Sequence, residues 1–395
     1  MVHAVGALSC NNLQFNQGHS VRAAELYVSA MSYYPYVMGQ ASTILQIQAS
    51  VLMILYALQC PSAEEISTTV SSIIPFCTAT IAEIRRHTSY NGSDDSPEVA
   101  TSTGEFFTES LFITCYMLNE IIVSGWDRPV SAAYKAIDDD MFTISNEVPS
   151  LSTSNTALSH LFRLRKIQAD IRRYWHQTQE AESEEVHRDD LLKSALDTWR
   201  KDIPRYGLEG APCTYLHPLW MANLYDYSVI ILMQEKRHRL KFKDIEDVLC
   251  AIVEVCLNFR QLQEEGQVMC YTWSALVFQF RAGVMLLYIF WVTPREQRFM
   301  QQALEALEAC LKTIDQFADR WHDATPYKNA LDFLVQRAPW IPKVFTQQQW
   351  VNWDLQKMDD CLARLKKQYL HKGVLEMIED MIYRRPVEDH DKTLL

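Results

Sequence analysis

The sequence predicts an all-α protein, one large helical domain over residues 1–385 with a loose tail at 386–395. Three observations carry that expectation. Apolar residues recur three and four apart through one stretch after another, the spacing of a helix face, while the two-residue alternation of strands is nearly absent. Glycine is scarce, 11 in 395 residues, with no glycine-rich phosphate loop and no strong internal repeat. A hydrophobic content of 48% is ample for a packed core and excludes disorder for most of the chain.

In chain order, helical spacing is found over Ala23–Tyr34, Ser42–Leu58, Ser62–His87, Thr103–Ser124, Ser159–Glu182, Asp189–Lys201, His217–Leu240, Phe242–Gly266, Pro294–Trp321 and Trp353–Lys372. Two polar segments interrupt the series and read as surface insertions. "NGSDDSPEVATSTG", 91–104, is turn-rich and reads as a flexible loop, whereas the acidic run "QTQEAESEEVHRDD", 177–190, ends one helix and begins the next. After Arg385 the chain is polar and expected to be loose.

The most apolar stretch is "YTWSALVFQFRAGVMLLYIFW", Tyr271–Trp291, whose length is that of a membrane span. Gln279 and Arg281 sit near its centre, where an arginine costs about 2.5–3.5 kcal/mol in a bilayer. Trp273, Leu276, Val277, Phe280, Val284, Leu287 and Trp291 recur at three and four, so the stretch predicts the central helix of a soluble domain. Gly283 on that helix allows a neighbour to approach closely.

Charge and cysteine usage narrow the function classes. A net charge of −12 and a pI near 5.4 set the overall field against phosphate backbones and anionic lipid, so neither nucleic acid nor membrane is an expected partner. The cysteines, at 10, 60, 77, 115, 213, 250, 256, 270, 310 and 361, lack the close pairs of a zinc site and read as buried free thiols. The apolar start "MVHAVGALSC" lacks the basic residues and length of a secretory signal, which predicts a reducing intracellular compartment, nuclear or cytoplasmic. Asn91 of "NGS" is then not glycosylated.

Four landmarks in order give a resemblance. "ESLFITCYMLNEIIVSGWDRPVSAAYKAIDDDMF", Glu109–Phe142, is similar to a helix reading Phe/Trp-x-x-Cys-Tyr-x-Leu-acid, followed by Gly-Arg-Pro and an Ile-Asp turn. "LDTWRKDIP", Leu196–Pro204, resembles Leu-x-x-Trp-x-x-x-Leu-Pro. "YDYSVIILMQEK", Tyr225–Lys236, resembles a helix that usually ends in His-Arg-Pro. Tyr271–Trp291 followed by "DQFADRW", Asp315–Trp321, is close to Trp-x-Ala, Phe-x-Ala-Gly, Leu-Tyr and a later Arg-Trp. Together they resemble the middle homology region, the helical effector domain, of fungal binuclear zinc-cluster transcription factors, over roughly Met1–Leu334.

The resemblance implies a transcription-regulator-like protein of a fungal pathway, for example one of secondary metabolism, acting through other proteins such as a DNA-binding regulator or through an apolar small-molecule inducer. The sequence holds no six-cysteine cluster, so no direct contact with nucleic acid is expected. It departs from the family at Gln234-Glu235-Lys236, which stand in the His-Arg-Pro position, and at Asp127, where glycine is usual. Under this reading Trp199, Trp273, Trp291 and Trp321 anchor helix to helix, and there is no catalytic residue, cofactor or metal.

A second reading is an enzyme on the same helical fold, a magnesium-dependent terpene cyclase acting on an isoprenoid diphosphate. Its Mg2+ ligands are then Asp138, Asp139, Asp140, Asn223 and Glu235, with Lys236 and Asp226 in the catalytic role. Spacing counts against it. Phe142 follows Asp138 where a second acid belongs, and Tyr227 and Ile231 occupy the fourth and eighth positions after Asn223, where further ligands are required. No His-x-x-x-His pair and no Gly-x-Ser-x-Gly elbow occurs, and His217 and His322 read as helix-boundary residues. The short basic stretches Glu83–His87 and Glu235–Arg239 suit helix ends and are weak as nuclear signals.

Overall fold

A computed structural model describes residues 1–10, 17–60, 72–77, 79–80, 101–125, 153–177, 182–201, 203, 217–237, 240–293, 299–338, 340–341 and 355–384. The described residues are helical with no strand among them, which establishes the all-α class. By contact the chain groups into two compact units: Met1–Ser124 with Arg128–His176, and Gly125–Asp127 with Gln177–Leu395.

In the first unit, α1 (Val2–Cys10), α2 (Gln17–Met38) and α3 (Thr43–Gln59) pack together. Ala4 and Leu8 of α1 meet Ala23 of α2 and Tyr56 of α3, and the Tyr27 and Tyr56 rings stack at 4.0 Å. Ser42 caps α3, its hydroxyl accepting from the Leu45 N–H at 3.4 Å. Further on, α4 (Thr101–Val123) and α5 (Thr153–Gln177) are joined by Tyr116 set edge-on to Phe162 at 5.0 Å. A buried ion pair between Glu120 and Arg172 links the same two helices.

The second unit is built around one helix. It comprises α6 (Glu182–Lys201), α7 (Pro218–Glu235), α8 (Phe242–Glu264), α9 (Trp273–Val292), α10 (Met300–Arg320), α11 (Thr325–Arg337), α12 (Leu355–Lys367) and α13 (Lys372–Tyr383). The expected central helix is α9. Thr272 caps it by accepting from the Ala275 N–H at 3.3 Å, and α7, α8, α10, α11 and α13 all pack on it. By length and composition α9 is apolar enough to cross a membrane, yet 89% of that window is buried inside the protein, Arg281 included. A Cβ added at Gly283 would stand 2.9 Å from Cys310 Sγ of α10 and 3.2 Å from Leu331 Cδ1 of α11, so the glycine sets both approaches.

Several boundaries differ from expectation. His217–Leu240 shortens to α7, because the chain turns at Lys236 and Arg237. Trp353–Lys372 shortens to α12, which ends at Lys367 where Tyr369 takes a left-handed φ of 59°, and a further helix not expected from sequence, α13, begins at Lys372, capped by His371 Nδ1, which accepts from the Gly373 N–H at 3.1 Å. The acidic run 177–190 is largely helix, since α5 reaches Gln177 and α6 starts at Glu182. Thr101–Gly104 likewise begins α4; the rest of the 91–104 loop, the 386–395 tail and most of Ser62–His87 lie outside the described residues. Cys250 is exposed, and Cys60, at the end of α3 and packed against the Ala4–Leu8–Tyr56 cluster, is half-buried, against the expectation of burial; Cys77, Cys115, Cys256, Cys270, Cys310 and Cys361 are buried free thiols.

Candidate functional site

Helix α7 is apolar on all sides, and Trp220, Met221 and every residue from Asn223 to Gln234 are buried. Such a helix belongs in a core, so any polar side chain on it must find partners there or go without. Ser228 solves this locally, donating to the Leu224 carbonyl at 2.7 Å. Asn223 does not. It is fully buried, and neither its Oδ1 nor its Nδ2 has a hydrogen-bond partner among the described residues.

The surroundings of Asn223 follow from its helix. Trp220 and Tyr227, three residues before it and four after, share its face of α7. Both rings stack on Phe278 of α9, at 6.3 and 3.5 Å between centroids, and Trp220 also meets Phe259 of α8 at 6.4 Å. The Arg281 guanidinium lies 5.6 Å from the Tyr227 ring centroid. In the same seam Gln279 of α9 donates through Nε2 to the Val255 carbonyl at 3.4 Å, while its Oε1, also buried, has no hydrogen-bond partner. The seam between α7, α8 and α9 is thus aromatic, and the Asn223 Nδ2 donor and the Asn223 Oδ1 and Gln279 Oε1 acceptors on its helices are unmet among the described residues.

Asp226 turns toward α6 and α8. Burial pushes its carboxyl up to about 7; the nearby Arg200 and Lys193 guanidinium and ammonium charges oppose the rise and Glu254 adds to it. Beside it Tyr225 donates its O–H to Asp197 Oδ1 at 2.5 Å and accepts from Lys193 Nζ at 3.2 Å, with the Arg200 guanidinium 4.6 Å from its ring centroid. Burial raises the Tyr225 phenol above its ordinary value, with the bond to Asp197 contributing.

Glu235 and Lys236 belong to a different place, the far end of α7. At about 1.5 Å rise per residue, Lys236 stands about 15 Å along the helix from Asp226 and farther from Asn223. Lys236 Nζ is held by Asp189 of α6 at 2.9 Å and Asp244 of α8 at 3.7 Å. Glu235 faces His371 Nε2 at 3.5 Å, Gln234 Nε2 reaches His371 Nδ1 at 3.3 Å, and Arg237 pairs with Glu376. These contacts fasten the end of α7 to α6, α8 and α13, and the altered Gln-Glu-Lys sequence supplies them. Asp138, Asp139 and Asp140 lie outside the described residues. Among the described residues no group of three or more His, Cys, Asp or Glu side chains is placed to hold a metal ion.

Of the candidates named from sequence, the structure therefore brings Asn223 and Asp226 to one level of α7, and Glu235 and Lys236 to another. Sequence reasoning does not single out Lys193, Asp197, Arg200 and Tyr225, which surround Asp226; the signal that could have found them is the lack of a polar face on 218–235, which requires the polar residues of that helix to be satisfied internally. Chemically, one buried amide beside aromatic rings offers a donor and an acceptor to a single carbonyl or hydroxyl on an otherwise apolar molecule. Compared with known protein families, with curated proteins and with solved structures, the chain matches none of them.

Proposed function

We propose that the chain is a transcription-regulator-like protein of a fungal pathway, one of secondary metabolism, whose output passes through other proteins, among them a DNA-binding regulator, and answers to an apolar small molecule bound in the second unit. The observation that carries this is Asn223, wholly buried with an unmet donor and acceptor on the face of α7 that stacks on Phe278. A buried amide without partners costs about 1–3 kcal/mol, a penalty that a ligand supplying one polar group relieves. The four landmarks point to the same class. The acidic net charge of −12 favours protein contacts over phosphate.

The test is solvent extraction of the protein purified from its host, with mass spectrometry of what co-purifies. An apolar compound with one polar group, present with the wild type and absent from Asn223→Leu, supports the reading, as does altered expression of pathway genes on deletion. Nothing bound and no transcript changed refutes it. Incubation with magnesium and farnesyl diphosphate addresses the enzyme alternative, which a cyclised volatile product would establish.

A further inference from the structure

The inner face of α2 is spent on α1 and α3, through Ala23, Leu26 and Tyr27. Its outer face is unusual for a helix in a chain this charged. Val21, Val28, Tyr33 and Tyr36 are exposed at 59%, 69%, 67% and 71%. Val21, Val28 and Tyr36 are spaced by seven and eight, with Glu25 and Ser32 between them, so they form one continuous stripe down the helix. Exposed large apolar side chains aligned on one face, with only Glu25 and Ser32 set between them, form a mixed surface of the kind that meets another protein.

The charge of the stripe says which protein. The whole chain carries −12, so two copies repel unless they meet where the charge is locally balanced. Over α2 the only acidic or basic residues besides His19 are Arg22 and Glu25, which offset each other and pair across the surface at 3.2 Å. The stripe is also two-ended. Val21, Arg22 and Glu25 stand at the N-terminal end, and Ser32, Tyr33 and Tyr36 at the C-terminal end.

We propose that α2 is a self-association surface, on which a second copy of this chain lays its own α2 antiparallel about a two-fold axis near Val28. A two-fold contact uses the same patch twice and must be complementary to itself. The antiparallel arrangement meets that condition: Arg22 of one copy faces the Tyr33 and Tyr36 rings of the other, a cation over aromatic faces, and Glu25 accepts from the hydroxyls of Ser32 or Tyr33. Val28 meets Val28 at the axis. A parallel arrangement sets Arg22 on Arg22 and Glu25 on Glu25 and is disfavoured. One helix face on each side is a small contact, so the association is reversible.

The test is light scattering on the full chain across about 1–100 µM, the range of a contact of this size. The expected result is a mass rising from the 45.8 kDa of one chain toward twice that value. Val28→Glu sets two carboxylates at the axis and is expected to weaken association by tenfold or more, with an unchanged melting temperature because the side chain is on the outer face. Tyr36→Ser, at the rim, should weaken it less and serves if Val28→Glu fails to fold. A wild type that stays at the mass of one chain, including one that instead binds a different protein through α2, overturns the proposal. So does a dimer that both substitutions leave intact.

Discussion

Replacing Asp226 by asparagine removes one ionisable proton and almost no volume, so it isolates what the carboxyl costs the fold. Burial raises this carboxyl from the ordinary 3.8 to about 7, with Arg200 and Lys193 limiting the rise and Glu254 adding to it. The folded protein therefore holds the proton more tightly than the unfolded chain, and folding is favoured by acid as far as this group is concerned. Below pH 3.8 the group is neutral in both states and contributes nothing; its cost grows as pH climbs from 3.8 to about 7 and then levels off. Roughly three tenfold steps at about 1.4 kcal/mol each place the cost at about 4 kcal/mol at pH 8, an upper figure. Asp226→Asn is thus expected to match the wild type near about pH 4 and to exceed it by about 2–4 kcal/mol near pH 8. Urea unfolding at a series of pH values reads the gap directly, and Asp332, which burial raises to about 6, acts equally on both proteins. A gap that does not change with pH, or an asparagine variant less stable at pH 8, would refute the reasoning; the carboxylate would then be ionised and held by Arg200 and Lys193.

Gly283→Ala adds a methyl 2.9 Å from Cys310 Sγ and 3.2 Å from Leu331 Cδ1. Overpacking of about 1–3 kcal/mol is expected to outweigh the gain in helix propensity of about 1 kcal/mol, so the melting temperature falls. Glu120→Ala leaves Arg172 buried without its carboxylate and is expected to destabilise by about 3–5 kcal/mol in urea unfolding, whereas replacing both partners by apolar residues of similar volume is expected to recover much of that loss. A gel shift with the purified chain alone is expected to give no site-specific complex at physiological salt; nanomolar affinity for a defined sequence would contradict the reading of its charge.

Helix α9 was legible from sequence because its signal is redundant: an apolar run with aromatic residues at helical spacing and a glycine where α10 and α11 approach. The shorter helices were less so. Helix α1 has no polar face to show a period, and α11 and α13 are only 13 and 12 residues long, too short for a sustained period, although Pro339 and Pro386 follow their ends. The break between α12 and α13 is invisible locally, since a tyrosine rather than a glycine takes the left-handed turn at position 369. At the site, Asn223, Asp226, Glu235 and Lys236 are grouped from sequence only as the metal ligands and catalytic residues of the enzyme reading, and the rise of the helix separates the first two from the last two. Residues twelve or thirteen apart on α7 face different neighbours. The Trp220 and Tyr227 rings on the face of Asn223 meet α8 and α9, and the charges around Asp226 come from α6 and α8, through contacts between residues far apart in the sequence.

The central claim is that the Asn223 amide is there for a ligand, and Asn223→Leu tests it by exchanging the amide for an apolar group of similar size. Removing an unmet buried polar group leaves the fold as stable or more so, which a melting curve verifies first. With folding secured, the decisive measurement is the level of the pathway's transcripts in a strain carrying Asn223→Leu in place of the wild type. The account predicts that the stable variant loses the response to the inducing condition as fully as a deletion does. A stable variant with the full wild-type response contradicts it.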